Sequence, residues 1–195
     1  IRNHAEAAIV DKPDADLTNM IGYNFRLGEI ESAIGIKQLK KLESAISSRQ
    51  TAALRLTEVL KNIEGLTAPV TRMDCTHVYY FYAMKHDANL TGISRDRVYD
   101  ALIAEGVPFL SKRYENLHML PMFLEKQCYG TKHFPWSLNN EVNYDYGAGT
   151  CDVAERMNKN EYLGIFMCGS NYEDDEISLI GEAIKKVYSN ISELR

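Results

Sequence analysis

The stretch from Met20 to Leu42 holds the residue types best suited to chemistry. Gly22, Tyr23, Asn24 and Arg26 form a polar, glycine-bearing loop that runs into a long amphipathic segment. A carboxamide, a guanidinium and free backbone N–H groups at a helix start can surround an anion, since that end has unpaired donors and the positive end of the helix dipole. Plain N-capping by Asn24 is the commoner role and competes with this one. A second polar cluster, Lys112, Arg113, Tyr114, Glu115, Asn116 and His118, precedes Pro121. After it, residues 125–149 lack any period and hold the sole tryptophan, Trp136. A loop of that length in a compact domain is functional or disordered, and its aromatic content favours a packed, functional one.

Several chemistries are missing. The five histidines (His4, His77, His86, His118 and His133) have no metal-ligand spacing with one another or with cysteine, so no metal site is expected. No nucleophile elbow, phosphate loop or dinucleotide fingerprint is present. Cys75, Cys128, Cys151 and Cys168 are widely spaced, which points to reduced and mostly buried thiols. The formal charge of -5 argues against nucleic acid or an anionic membrane as partner. No apolar run approaches the ~20 residues of a membrane span, and no signal peptide is visible, so a cytoplasmic location is expected. The Asn89 and Asn190 glycosylation sequons are discounted for the same reason.

The elements that must position these residues follow from periodicity. The 195 residues, 45% hydrophobic and 25% charged, suit one ordinary domain or part of a larger one, and Ile1-Arg2-Asn3-His4 reads as the middle of something longer. Residues 1–19 form a lead-in segment. From Leu27, the residues Ile30, Ile34, Leu39, Leu42, Ile46, Ala53, Leu56 and Leu60 recur at helical steps. They predict a long helix, bent near Ser47-Ser48 and ending before Gly65, whose stripe can pack on a domain or a second subunit. His77–Met84 reads as an aromatic strand. Ser94 caps a helix stopped by Gly106 and Pro108, and Val107–Leu110 follows as a short strand. Cys151–Tyr162 is a helix, Leu163–Cys168 a third strand, and Ser170-Asn171-Tyr172-Glu173 a capping box for the last helix. The class is α/β: a small sheet packed with helices and preceded by a long helix.

These residues also carry a resemblance. Gly22-Tyr23-Asn24-Phe25-Arg26-Leu27, then Glu29, Ala33-Ile34-Gly35 and Gln38-Leu39-x-x-Leu42, resemble the second half of the DegT/DnrJ/EryC1/StrS family of sugar aminotransferases. Arg2-Asn3-His4, His77-Val78-Tyr79, Tyr114-x-x-Leu117-His118 and Ala154-Glu155-Arg156 match in the same order. The family's His-Tyr-Pro-Pro-Leu-His loop reads Arg113-Tyr114-Glu115-Asn116-Leu117-His118 here, and Ile165-Phe166-Met167 also departs from the pattern. With the 125–149 insertion, these changes put the substrate in question.

The resemblance implies a fold-type-I enzyme dependent on pyridoxal 5'-phosphate. Residues 1–25 are then the end of the large domain, 26–64 a connecting helix, and 65–195 the C-terminal small domain. The Schiff-base lysine is expected upstream, so no catalytic residue is assigned in this chain, and the chain alone is expected to be inactive. Asn24 and Arg26 match residues at the cofactor phosphate of a neighbouring subunit in a homodimer with shared active sites. Arg113, Tyr114 and His118 match the segment that closes over the sugar, whereas His77 and Tyr23 suit packing. The implied reaction moves an amino group from glutamate or glutamine to a keto-sugar, by default nucleotide-linked, in amino-sugar or cell-surface polysaccharide biosynthesis. A sugar dehydratase with histidine in place of the lysine, or a non-catalytic interaction module, are the rival readings.

Overall fold

Helix α1, Glu29–Leu60, runs without interruption through Ser47-Ser48, where a bend was expected. The computed structural model describes residues 23–139 and 141–195, so the lead-in segment, Arg2-Asn3-His4 and Gly22 lie outside the described residues. The chain divides into two compact units, Ile1–Ala45 and Ile46–Arg195, and the division falls inside α1. In the first unit Ile30, Ile34 and Leu39 are exposed. In the second, Ala52, Ala53, Leu56 and Leu60 are buried at steps of three and four, as a core-facing helical stripe requires. Burying a side chain such as Leu56 stabilises by about 1.5–3 kcal/mol.

The second unit is built on an antiparallel sheet in the order β1-β2-β4-β3. The strands are β1, Leu66–Thr67, β2, Phe81–His86, β3, Leu110–Ser111, and β4, Tyr162–Phe166. β2 pairs with β4 from Phe81↔Phe166 to Lys85↔Tyr162, and β3 lies on the other side of β4 with Leu110 opposite Ile165. Period-two alternation sends Tyr82, Met84 and His86 into the core. Burial pushes the Tyr82 phenol up to about 12, although its O–H is hydrogen-bonded with Thr57 Oγ1 at 2.8 Å.

Helices α2, Ala88–Thr91, α3, Arg95–Ala104, and α6, Asp174–Ser189, complete the layer with α1; short helices α4, Pro121–Leu124, and α5, Asp152–Arg156, lie in the polar region. Ser94 caps α3 as expected, its Oγ accepting from Arg97 N–H at 3.3 Å. The capping box of α6 pairs Glu173 with Glu176, three residues later than expected.

Other boundaries also move, for local reasons. β2 starts four residues after His77, because Tyr79 takes a left-handed φ of 49° that ends extended structure before it. β3 begins at Leu110, since Phe109 does the same at φ 50°. The helix expected over Cys151–Tyr162 stops as α-helix at Arg156 and continues as a π-turn, Met157–Glu161. The Asn158 and Lys159 carbonyls there turn to the Arg95 guanidinium. The thiols are not mostly buried: Cys75, Cys128 and Cys151 are exposed and Cys168 is half-buried, because three of them sit in turns rather than on a core face.

Gly181 explains how closely α6 approaches α1. A glycine in a helix interior costs about 1 kcal/mol relative to alanine, yet a Cβ here would collide with Val59 Cγ1. Val59 is β-branched and has little rotamer freedom on a helix. Gly181→Ala regains propensity but forces an overpacked contact, worth about 1–3 kcal/mol. A net loss of about 1 kcal/mol is expected in urea unfolding. A raised midpoint would contradict the close-packing account.

Candidate functional site

Asn24 and Arg26 meet in the first unit. Asn24 Oδ1 accepts from the Arg26 backbone N–H at 3.3 Å and from its Nε at 3.1 Å. Both residues are exposed. The helical ladder begins with Ser32 N–H donating to Gly28 C=O at 3.0 Å, so Gly28 and not Asn24 occupies the cap position. The capping role that competed for Asn24 is therefore excluded by its place in the chain. With Oδ1 taken by arginine, Asn24 offers its Nδ2 donors, beside the remaining guanidinium nitrogens. This donor pair suits an anion. The Tyr23 and Phe25 rings stack at 5.4 Å beside it.

In the second unit, residues 111–119 leave β3 as a loop tied down along its length. The hub is Arg95, the first residue of α3, whose side chain is 2% exposed. Its Nη1 donates to the carbonyls of Lys112 and of Tyr162, the latter at 2.9 Å. Its Nη2 donates to Asn158 C=O at 3.0 Å and Lys159 C=O at 2.7 Å, and Nε to Asp96 Oδ1 at 2.8 Å. Asn158 Nδ2 in turn donates to Tyr114 C=O. One buried cation thus joins the loop start to the π-turn.

The three polar residues expected in this loop have different surroundings. The Arg113 side chain is exposed, and among the described residues its guanidinium has no hydrogen bond or ion pair. Tyr114 packs edge-on to Phe81 at 5.9 Å, on the sheet face opposite Tyr82 and Met84. Phe166 and Tyr80 extend that aromatic face, each about 5 Å from its neighbour. His118 is mostly buried and donates Nε2–H to Glu155 Oε1 at 2.9 Å. His77 is exposed; its Nδ1 accepts from Tyr79 N–H at 2.8 Å and its ring lies 4.2 Å from that of Tyr79.

Glu155 gathers more than His118. Its carboxylate also accepts from Gly149 N–H, at 3.0 Å to each oxygen, and from Cys151 N–H at 3.1 Å. Those backbone donors, and then His118, hold its carboxyl below the usual carboxylate range. The long loop is packed, as its aromatics suggested. Trp136 Nε1–H donates to the Tyr146 hydroxyl at 3.0 Å, and Phe123 contacts both rings.

Arg95, Glu155 and Asn158 were not singled out from sequence as holding this region. Arg95 had a signal: a cation at the first position of a helix opposes the dipole and needs another reason to be there. Glu155 had only its place in the Ala154-Glu155-Arg156 match, since an acid in the first turn of a helix is ordinary.

An antiparallel sheet packed with helices makes the second unit an α/β fold. The chain belongs to the DegT/DnrJ/EryC1/StrS aminotransferase family, whose profile matches residues 1–142. This is a family of pyridoxal-phosphate-dependent enzymes. The spore coat polysaccharide biosynthesis protein SpsC of Bacillus subtilis is 26% identical over 118 residues, 60% of this chain and 30% of that protein. A putative L-glutamine:3-amino-2,3-dideoxy-scyllo-inosose aminotransferase of Streptomyces kanamyceticus is 28% identical over 181 residues, 89% of this chain and 42% of that protein. The crystal structure of S. venezuelae DesV in complex with a ketimine intermediate shares the fold, with a TM-score of 0.68 at 18% identity over 97% of this chain and 42% of that one. The chain spans less than half the length of these relatives.

Proposed function

We propose that this chain is the C-terminal part of an aminotransferase that moves an amino group from glutamate or glutamine to a keto-sugar. The observation that carries the reading is the Asn24–Arg26 pair in a chain of this family. Its two side chains present only donors outward, which fits the phosphate of pyridoxal phosphate. Asn24 Nδ2 and the Arg26 guanidinium would hold that phosphate across a homodimer interface, and the bound cofactor supplies the electron sink for moving the amino group. Ile30 and Ile34, one turn apart on α1 and both exposed, support such an interface, because neighbouring exposed apolar side chains favour a partner.

Residues 1–25 are assigned to the large domain, 26–64 to the connecting helix and 65–195 to the small domain. The Schiff-base lysine belongs to the preceding large domain. Arg113, with its uncommitted guanidinium, Tyr114 on the aromatic face and His118 are assigned to the sugar: a charged anchor, a stacking ring and a hydroxyl contact. The names of the relatives, which include a polysaccharide biosynthesis protein and an inosose aminotransferase, favour either a nucleotide-linked keto-sugar or a keto-cyclitol as acceptor. The expected location is the cytoplasm.

The test is spectroscopic. Full-length enzyme with pyridoxal phosphate is expected to show a near-visible absorbance band that borohydride abolishes and glutamate or glutamine shifts. A protein without that band is not a transaminase. Asn24→Ala is expected to raise the cofactor dissociation constant about tenfold, the usual scale for one charge-assisted hydrogen bond. Unchanged retention on dialysis would remove Asn24 from the phosphate site.

A further inference from the structure

We infer that Glu155 is a positioning residue for the acceptor loop: it holds the His118 ring by Nε2 and leaves Nδ1 as the atom offered to substrate. The substrate part of this rests on the proposed sugar contact of His118; the clasp itself does not. The carboxylate can only accept, so Nε2 must carry the proton shared at 2.9 Å. In the neutral ring Nδ1 is then a bare acceptor, and among the described residues it has no partner. Such an atom recognises a hydroxyl or amine donor, the groups a sugar displays. A ring nitrogen whose role is set by the hydrogen bond on the opposite nitrogen is a general device for orienting histidine.

Capping does not explain the arrangement. Glu155 lies in α5, and its bond to Cys151 N–H, at the cap position of that helix, is an ordinary first-turn contact. Its bonds to Gly149, outside the helix, and to His118, 37 residues away, are not. The same two oxygens therefore fasten the end of the 125–149 loop and the His118 ring to one point. The other anchors, Arg95 on Lys112 and Asn158 on Tyr114, hold only the 111–119 loop. Glu155 alone of these three sets both loops in register. The long loop is thereby ordered together with the segment that carries His118.

Amide exchange and proton NMR on the full chain test the clasp. In E155A the Gly149 and Cys151 amides are expected to exchange about tenfold faster or more, the scale for losing a hydrogen bond to a charged acceptor. The downfield Nε2–H signal of His118 is expected to vanish into water. Tyr82 and Ile165, in the sheet, should keep their rates. E155Q retains a carbonyl oxygen for these donors and is expected to restore most of the protection and the Nε2–H signal. Unchanged exchange at Gly149 and Cys151 in E155A, with the Nε2–H signal intact, overturns the proposal. Equal acceleration at Tyr82 and Ile165 also overturns it, because Glu155 would then be a general stability residue. If E155A does not fold, H118A cuts the clasp from the other side: faster exchange at Met119 and Leu120, with Gly149 still protected, supports it, and unchanged rates there refute it. None of these readouts needs turnover. A full-length enzyme that takes no amino group from glutamate or glutamine defeats the functional reading and leaves the exchange rates to decide the clasp.

Discussion

Arg95→Met is expected to destabilise the chain by about 3 kcal/mol or more, because it strands several polar groups at once. The guanidinium is almost fully enclosed and is bonded to the carbonyls of Lys112, Asn158, Lys159 and Tyr162 as well as to Asp96. Each carbonyl that loses its donor without gaining water bears a desolvation penalty of about 1–3 kcal/mol. Some of that is relieved, since the π-turn is only partly buried and can admit water. Methionine keeps the length and apolar stem, so the loss reports the hydrogen bonds more than the packing. Arg95→Lys is expected to recover less than half, for an ammonium cannot reproduce the planar fork that reaches two pairs of carbonyls. Urea unfolding with the slope held constant gives the number. A loss under about 1 kcal/mol would mean that the turn holds without its hub. Because the same side chain fixes Lys112, the variant should also loosen residues 111–119.

The sequence shows its periodic elements well and its tertiary hubs poorly. Ala53, Leu56 and Leu60 announced the buried stripe of α1 by spacing alone, and Ser94 announced the start of α3. Both depend on contacts within a few residues. Tyr79 and Phe109 did not announce their left-handed backbone, since aromatic residues in a β-rich context normally extend a strand. Those two positions account for the late starts of β2 and β3. The π-turn was invisible for a related reason: it exists because Arg95, more than sixty residues earlier, draws away carbonyls that would otherwise continue a helix. At the candidate site, Asn24 and Arg26 could be chosen by type and spacing. Their mutual hydrogen bonds, and the place of Asn24 ahead of the cap, needed the backbone path. Glu155 is the extreme case, a common residue in a common place whose partners come from two other segments.

His86→Leu is expected to lower stability by about 2–4 kcal/mol at pH 8 and to remove a pH dependence that the native chain shows below neutrality. His86 is fully buried on β2. Its Nε2 lies 2.9 Å from Ile93 C=O and its Nδ1 2.9 Å from the Tyr188 hydroxyl. A carbonyl only accepts, so Nε2 donates and Nδ1 accepts from Tyr188, an arrangement that satisfies the neutral ring completely. A proton added at Nδ1 would leave two donors facing each other, unless the tyrosine turned its own hydrogen away and gave up this bond. Burial is the largest influence and lowers the affinity of the ring for a proton; the Ile93 bond and Asp87 oppose this and Arg95 reinforces it. The folded value therefore lies below the ordinary 6.5 of the unfolded chain. As pH falls past 6.5 the unfolded chain takes up the proton first, so this stabilising contribution is complete above that value and is lost on the way down to the folded one. Leucine cannot titrate; it leaves the Tyr188 hydroxyl without its ring acceptor and the Ile93 carbonyl with only the Thr91 hydroxyl, 3.3 Å away, a cost independent of pH. The stability gap between native and His86→Leu chains should thus be widest near pH 8 and narrow steadily below 6.5. Every other group is common to both proteins and cancels in the difference. Two parallel stability curves between pH 8 and pH 5 would show that the buried ring is not the origin of the acid sensitivity.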